Sequence, residues 1–402
     1  MPDRFNDARD WFTDRRFGLF VHWGIYAVPG WHEQVQWRQN IPRAEYVQFA
    51  DQFNPVQYDP DAWLDLAEAA GMQYICLTTK HHDGFCLWDT KCTDFNVMHT
   101  PYGKDIVGML AEACHRRDVK LCLYYSVADW HHPSYPNQGR HHELPGPEPG
   151  DEPDFAKYME FLKAQVRELC TNYGQIGGIW WDMNVPGHVD PSVSAMIRDL
   201  QPGAVINNRG FDEGDYGTPE RHVPDGQAFE ERTEACQSIG VHSWGYKADD
   251  DFFADKFLMQ SIDKILAMGG NYLLNVGPRA DGAIGPEFAS SLRRIGQWYG
   301  KVREAFDALP APGLCKNPNV LLTQSGRTVY VHLYRDPEAT GVTLDSFTAL
   351  PARATLLNDG RQLDARVDRG GRLWCQPEHL RLRGLPVNEL LDEPMVVKLE
   401  FE

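Results

Sequence analysis

The 402-residue sequence predicts an α/β protein: a (β/α) TIM-like barrel over residues 1–308, followed by a small C-terminal β-sandwich over residues 309–402. Three observations predict it. Strand-like apolar runs alternate with helix-like segments about seven times before residue 308, the beat of a parallel sheet with crossover helices. The runs are apolar almost without interruption, as strands covered on both faces must be. Beyond Leu309 the helices stop, and short runs are separated by Gly, Asp, Asn and Pro turns. An open doubly wound sheet is the alternative for the first part.

In chain order, "FGLFVHWG" (17–24) is the first strand, and "DPDAWLDLAEAAG" (59–71) has apolar residues at helical spacing with Gly71 as a stop. "YICLTTKHHDG" (74–84), "VKLCLYYSVADW" (119–130), "GGIWWDMN" (177–184), "AVINNRG" (204–210) and "NYLLNVGP" (271–278) are further strands. "GKDIVGMLAEACHRRD" (103–118), "DFAKYMEFLKAQVRELCTNYG" (154–174), "FFADKFLMQSIDKILAMGG" (252–270) and a last segment from Pro286 to Phe306 are helices. The stretch through "HSWGY" has no regular pattern. "ALPAPGLCKNP" is a Pro-rich joint, and "VLLTQ", "TVYVHLYR", "ATLLND" and "MVVKLEFE" are strands of the sandwich. The polar, Pro-rich loop 131–153 has the length and composition of a site rim.

Composition excludes several classes of function. With 42% hydrophobic residues the chain can bury a large core. A formal net charge of -18 and the lack of Lys/Arg clusters argue against nucleic acid as a partner. No stretch approaches the apolar length of a membrane span, and the start has no signal-peptide pattern, so a cytoplasmic location and no membrane partner are expected. Nine Cys scattered without a CxxC pair predict reduced, buried thiols and neither disulfides nor a zinc site.

Several predicted strands end on groups that a core would not choose: His22, His81 and His82, Asp129 and Trp130, Asp182, and Arg209. In a barrel the C-terminal strand ends form one rim, where such groups converge on a ligand. Adjacent His81 and His82 on a strand point to opposite faces, which disfavours chelation of a single ion, so no metal and no cofactor are expected. Trp180 shares a face with Asp182 by two-residue alternation. Donors, acceptors and aromatic faces in this combination suit a hydroxyl-rich sugar, and a carboxylate at the base of such a pocket can attack an anomeric carbon.

The motifs "WFTDRRFGLFVHWGIYAVPGW", "YICLTTKHHDGFCLWDT", "YYSVADWHHPSY", "IWWDMN", "INNRGFDEGDYGTPE", "HSWGY" and "GGNYLLNVGPRADGAIGP", in this order over about residues 11–300, resemble the α-L-fucosidases of glycoside hydrolase family 29. The resemblance implies an exo-acting, retaining α-L-fucosidase without a metal, acting on a fucosylated oligosaccharide or glycan. It assigns the nucleophile to Asp182 and fucose binding to His22, Trp37, His81, His82, Tyr124, Trp180 and Arg209. A barrel glycosidase of other glycone specificity, such as a β-galactosidase, and a fucose-binding protein with little turnover are the alternatives.

Two features depart from the family pattern. The Glu-Trp pair of the first long loop is here Gln36 and Trp37, with Glu33 nearby, and "GKVREAF" replaces a signature after the last barrel helix. The acid/base is one of four glutamates, Glu220, Glu230, Glu231 and Glu234, none placed by a clean strand pattern. Glu220 matches a family T-x-E position and Glu234 a W-E position in which Thr233 replaces the Trp. Glu220 is preferred because "DYGTPE" is intact, and Glu234 is the alternative.

Overall fold

The computed structural model describes residues 4–402 apart from residues 223, 346 and 369–377. Its N-terminal part runs β1 (Phe17–Val21), α1 (Pro60–Ala69), β2 (Tyr74–Lys80), α2 (Ile106–Arg116), β3 (Lys120–Ser126), α3 (Phe155–Thr171), β4 (Gly178–Asp182), α4 (Pro191–Leu200), β5 (Val205–Ile206), β6 (Glu234–Ser238), α5 (Asp255–Ala267), β7 (Asn271–Val276) and α6 (Pro286–Val302). The strands form one parallel sheet in the order β5-β4-β3-β2-β1-β7-β6. Every residue of β1, β2, β6 and β7 is buried, which is why their sequences show no polar alternation.

Aspartates start four of the helices. Asp59, Asp105, Asp154 and Asp190 each accept a bond from a first-turn N–H, satisfying donors that a helix start leaves without partners. Pro60 and Pro191 then fill first-turn positions where a missing N–H costs nothing. The helix Pro191–Leu200 and the strand Glu234–Ser238 are absent from the sequence reading. The first was legible in its cap, its proline and the helical spacing of Val193, Met196, Ile197 and Leu200, whereas the second, "EACQS", is a buried strand without an apolar run.

The two edge strands, β5 and β6, do not pair with each other. Between them lies the segment 216–220, joined to both by single parallel bridges: Asn207 with Tyr216, Gly217 with Thr233, and Glu220 with Cys236. The barrel is thus a curled seven-stranded sheet whose remaining gap is filled by a loop. "DEGDYGTPE" cannot supply a full ladder, because Pro219 lacks an N–H and its glycines weaken strand structure.

Beyond the barrel, β8 (Leu309–Pro310), β9 (Leu321–Ser325), β10 (Thr328–Leu333), β11 (Gly341–Asp345), β12 (Arg353–Leu356), β13 (Asp364–Asp368), β14 (His379–Arg383) and β15 (Met395–Glu400) form two antiparallel sheets, of five strands (β12-β15-β10-β9-β8) and three (β11-β14-β13). Val331, Leu344, Leu356, Leu380 and Val397 belong to an apolar cluster of their own. A buried polar contact ties this part to the barrel: His332 of β10 lies 2.7 Å from Asp263 of α5.

Candidate active site

The C-terminal strand ends open into a cavity of about 290 Å³, near the lower end of the range of ligand pockets (~300–1,000 Å³) and suited to one small ring rather than an extended chain. Asp182 is the last residue of β4. Its Oδ2 accepts a 2.8 Å bond from the Tyr124 hydroxyl and lies 3.9 Å from His82 Nε2. Its Oδ1 accepts from Arg209 Nη1 at 3.2 Å and from the Met183 N–H at 3.1 Å. Burial pushes the Asp182 carboxyl up, but Arg209, His82 and the Tyr124 hydroxyl outweigh it and hold the pKa below its ordinary value. The group is a carboxylate at neutral pH.

Arg209 sits over the Trp180 ring, 4.8 Å from its centroid, and donates to both carbonyl and hydroxyl of Thr218. The same Nη1 that reaches Asp182 also donates to Glu220 Oε2 at 3.0 Å. Two carboxylates therefore face one cleft and share one cation. Glu220 lies on the loop that fills the barrel gap, and its side chain is 39% exposed, open to a ligand.

Two imidazoles have their tautomers set by neighbours. His22 Nδ1 meets Asn275 Oδ1 at 2.7 Å, while the Asn275 amide nitrogen donates to the Trp244 carbonyl and to Ser238. His82 Nδ1 meets Ser126 Oγ at 2.7 Å, and that hydroxyl in turn donates to the Ala128 carbonyl. In each case Nδ1 carries the proton and Nε2 presents a lone pair to the cleft, an acceptor for a hydroxyl. Burial depresses both pKa values to about 4, opposed for His22 mainly by Glu33 and for His82 by Asp182. His81 lies in the same cleft, its ring parallel to that of Tyr124 at 5.7 Å, and its buried Nδ1 has no hydrogen-bond partner among the described residues.

His81 and His82 do not point to opposite faces, as alternation along a strand predicts. β2 ends at Lys80 after a register shift, so both rings lie beyond the strand, 4.0 Å apart, and both line the cleft. Among the described residues no group of three His, Cys, Asp or Glu is placed to hold a metal ion.

Asp129 and Trp130 are set apart from the cleft. Asp129 is buried, bonded to Lys80 Nζ at 2.6 Å and accepting from the His131 and His132 N–H groups. Lys80 is itself fully buried against Tyr158, so this pair anchors the turn that carries the two histidines. Gly84 completes the turn at φ +80°, where an added Cβ would meet Asp129 Oδ1 at 2.5 Å. Trp130 is buried and donates to the His142 carbonyl, holding the long loop down.

Trp37 also lies back from the cleft, its ring edge-on to His142 at 5.2 Å, and Gln36 is buried behind it. From that loop Glu33 and Gln34 reach the cavity instead. Glu33 Oε2 is bonded to the Ser243 hydroxyl and to the Trp244 and Gly245 N–H groups. Trp244, in the stretch the sequence left unassigned, stacks on His22 at 5.2 Å and forms one wall. Glu234 begins β6 and does not line the cavity. It is fully buried beneath Trp180, accepting from Trp180 Nε1 at 2.9 Å and the Tyr74 hydroxyl at 2.7 Å, and burial raises its pKa to about 7. Glu230 and Glu231 are exposed and outside the cleft.

Comparison with known proteins gives a consistent result. Residues 3–304 match the family model for alpha-L-fucosidase. The chain is 29% identical over 360 residues to tissue alpha-L-fucosidase of Bos taurus, covering 82% of this chain and 75% of that protein. It is 28% identical over 386 residues to the Homo sapiens tissue enzyme, covering 86% and 80%. Among solved structures it resembles alpha-L-fucosidase isoenzyme 1 from Paenibacillus thiaminolyticus, with 34% identity, a TM-score of 0.87 and coverage of 98% of this chain and 100% of that one. An alpha-L-fucosidase from Bacteroides thetaiotaomicron gives 28%, 0.82, 100% and 96%.

Proposed function

The chain belongs to the alpha-L-fucosidase family and is a glycoside hydrolase of that class; from that premise we propose that it releases terminal α-L-fucose from fucosylated glycans by double displacement. The observation that carries the mechanism is the shared Arg209 nitrogen, bonded to Asp182 at 3.2 Å and to Glu220 at 3.0 Å. Two carboxylates held so close fit the spacing of retaining enzymes, about 5–5.5 Å, better than the ~6.5–9.5 Å that leaves room for a water in inversion.

Asp182 attacks the anomeric carbon while Glu220 protonates the leaving oxygen. The same Glu220 then takes a proton from the water that hydrolyses the fucosyl-enzyme. A related Bacteroides thetaiotaomicron enzyme has been trapped as a covalent intermediate with 2-fluoro-fucosyl fluoride, which supports this route. His22 and His82 accept sugar hydroxyls through Nε2, and Phe20, Trp180 and Trp244 offer apolar faces to ring carbons. Proton NMR of the earliest product from an aryl α-L-fucoside tests the reading: the α anomer is expected first, and initial β-L-fucose, or faster hydrolysis of the matching β-galactoside, would overturn it.

The pH dependence follows from the two tautomer-locked histidines. They act as acceptors only when neutral, and their depressed pKa values of about 4 keep them neutral until the pH falls that far. Asp182 is protonated only below its ordinary range. A profile of kcat/KM is expected to stay high on the acid side through pH 6 and 5 and to fall only as it approaches ~4. An acid limb near 6.5, the ordinary histidine value, would mean that these imidazoles titrate freely.

A further inference from the structure

Glu220 is carried by the least regular element of the barrel, a loop tied to its neighbours by single bridges. A general acid must nevertheless be held to within about 0.5 Å of its working position. Arg221, next in the chain, supplies the missing hold. Its backbone N–H bond to the Cys236 carbonyl of β6, at 3.0 Å, belongs to the Glu220–Cys236 bridge itself; what the side chain adds is a bond from Nη1 to the Val241 carbonyl at 3.0 Å. Its guanidinium lies over the Trp244 ring, 4.5 Å from the centroid, and Trp244 stacks in turn on His22. Arg221 also has φ +49°, a left-handed conformation that a residue with a Cβ keeps only where its surroundings over-determine it.

We infer that Arg221 is a positioning residue for the proton donor: its side chain clamps the Glu220 loop to the Val241 carbonyl and to the Trp244 wall, and so fixes the carboxyl over the leaving oxygen. The inference rests on the reading of Glu220 as acid/base. The layered order Arg221, Trp244, His22 also joins the donor's loop to a wall of the sugar pocket, so a seated ring bears on the same stack that holds the acid.

The test is a series of aryl α-L-fucosides from 2,4-dinitrophenyl (good leaving group) to phenyl (poor), run on wild type, Arg221→Met, Arg221→Lys and Glu220→Ala. A displaced acid matters most where the leaving oxygen needs its proton, so Arg221→Met should lose about 100-fold in kcat/KM, which reports formation of the fucosyl-enzyme, on the phenyl substrate and only a few-fold on the dinitrophenyl one. Arg221→Lys, which keeps a donor for the Val241 carbonyl but not the planar stack, should fall in between. If Arg221→Met does not fold, the lysine variant carries the test alone. Equal losses across the series, or none, overturn the positioning role. A flat leaving-group response in Glu220→Ala overturns the acid/base assignment itself, and thus the inference at its premise.

Discussion

Asp182→Asn is expected to fold with the stability of the parent and to lose at least about three orders of magnitude in kcat/KM on any α-L-fucoside, roughly 4 kcal/mol of transition-state stabilisation. The amide is isosteric with the carboxylate: its oxygen can still accept from Arg209 and the Met183 N–H while its NH2 donates to the Tyr124 hydroxyl oxygen, so the geometry of the cleft survives. What disappears is the nucleophile. The loss should be independent of the leaving group, because every substrate must pass through attack at the same carbon. Thermal unfolding and far-UV circular dichroism check the fold, and initial rates check the chemistry. Activity within tenfold of the parent in a folded variant would remove Asp182 from the reaction.

Much of this site can be read from the sequence because barrel geometry makes strand ends informative. An apolar run that stops on a polar residue places that residue at the rim, and for His22, Asp182 and Arg209 the structure puts the side chain in the cleft. The same signal failed at Asp129 and Trp130. β3 ends at Ser126, and Asp129 then turns inward to neutralise Lys80, 49 positions earlier in the chain. Nothing local to "SVADW" reports that partner.

The histidine pair shows a second limit. Alternation assigned opposite faces to His81 and His82, and it would have been right had the strand continued, but the ladder ends at Lys80 and the two-residue rule ends with it. Glu33, His142 and Trp244 were harder still. They sit on loops whose paths are set by tertiary bonds, such as the three that Glu33 Oε2 accepts from residues 243–245. Composition gives the existence of such loops, and long-range packing decides which of their side chains face inward.

Removing the proton donor should produce a different signature from removing the nucleophile. Glu220→Ala is expected to lose about 10²- to 10⁴-fold in kcat/KM on phenyl α-L-fucoside and far less in kcat/KM on the 2,4-dinitrophenyl substrate, whose leaving group departs without a proton. The fucosyl-enzyme then accumulates, since no base activates water, and added azide should accelerate turnover by attacking it. Stereochemistry separates the two carboxylates. Azide that intercepts an intermediate completes a double displacement and gives α-L-fucosyl azide, whereas azide that rescues Asp182→Ala enters from the vacated face in a single displacement and gives the β anomer. Glu234 is the competing candidate, and its surroundings set the opposite expectation. Its two oxygens are taken up by Tyr74 and Trp180 beneath the cleft, so Glu234→Gln should disturb the seat of Trp180 and raise KM without steepening the leaving-group dependence. If azide rescued Glu234→Ala with retention and left Glu220→Ala unchanged, the roles would be reversed, and the sharing of Arg209 between Asp182 and Glu220 would be a structural contact only.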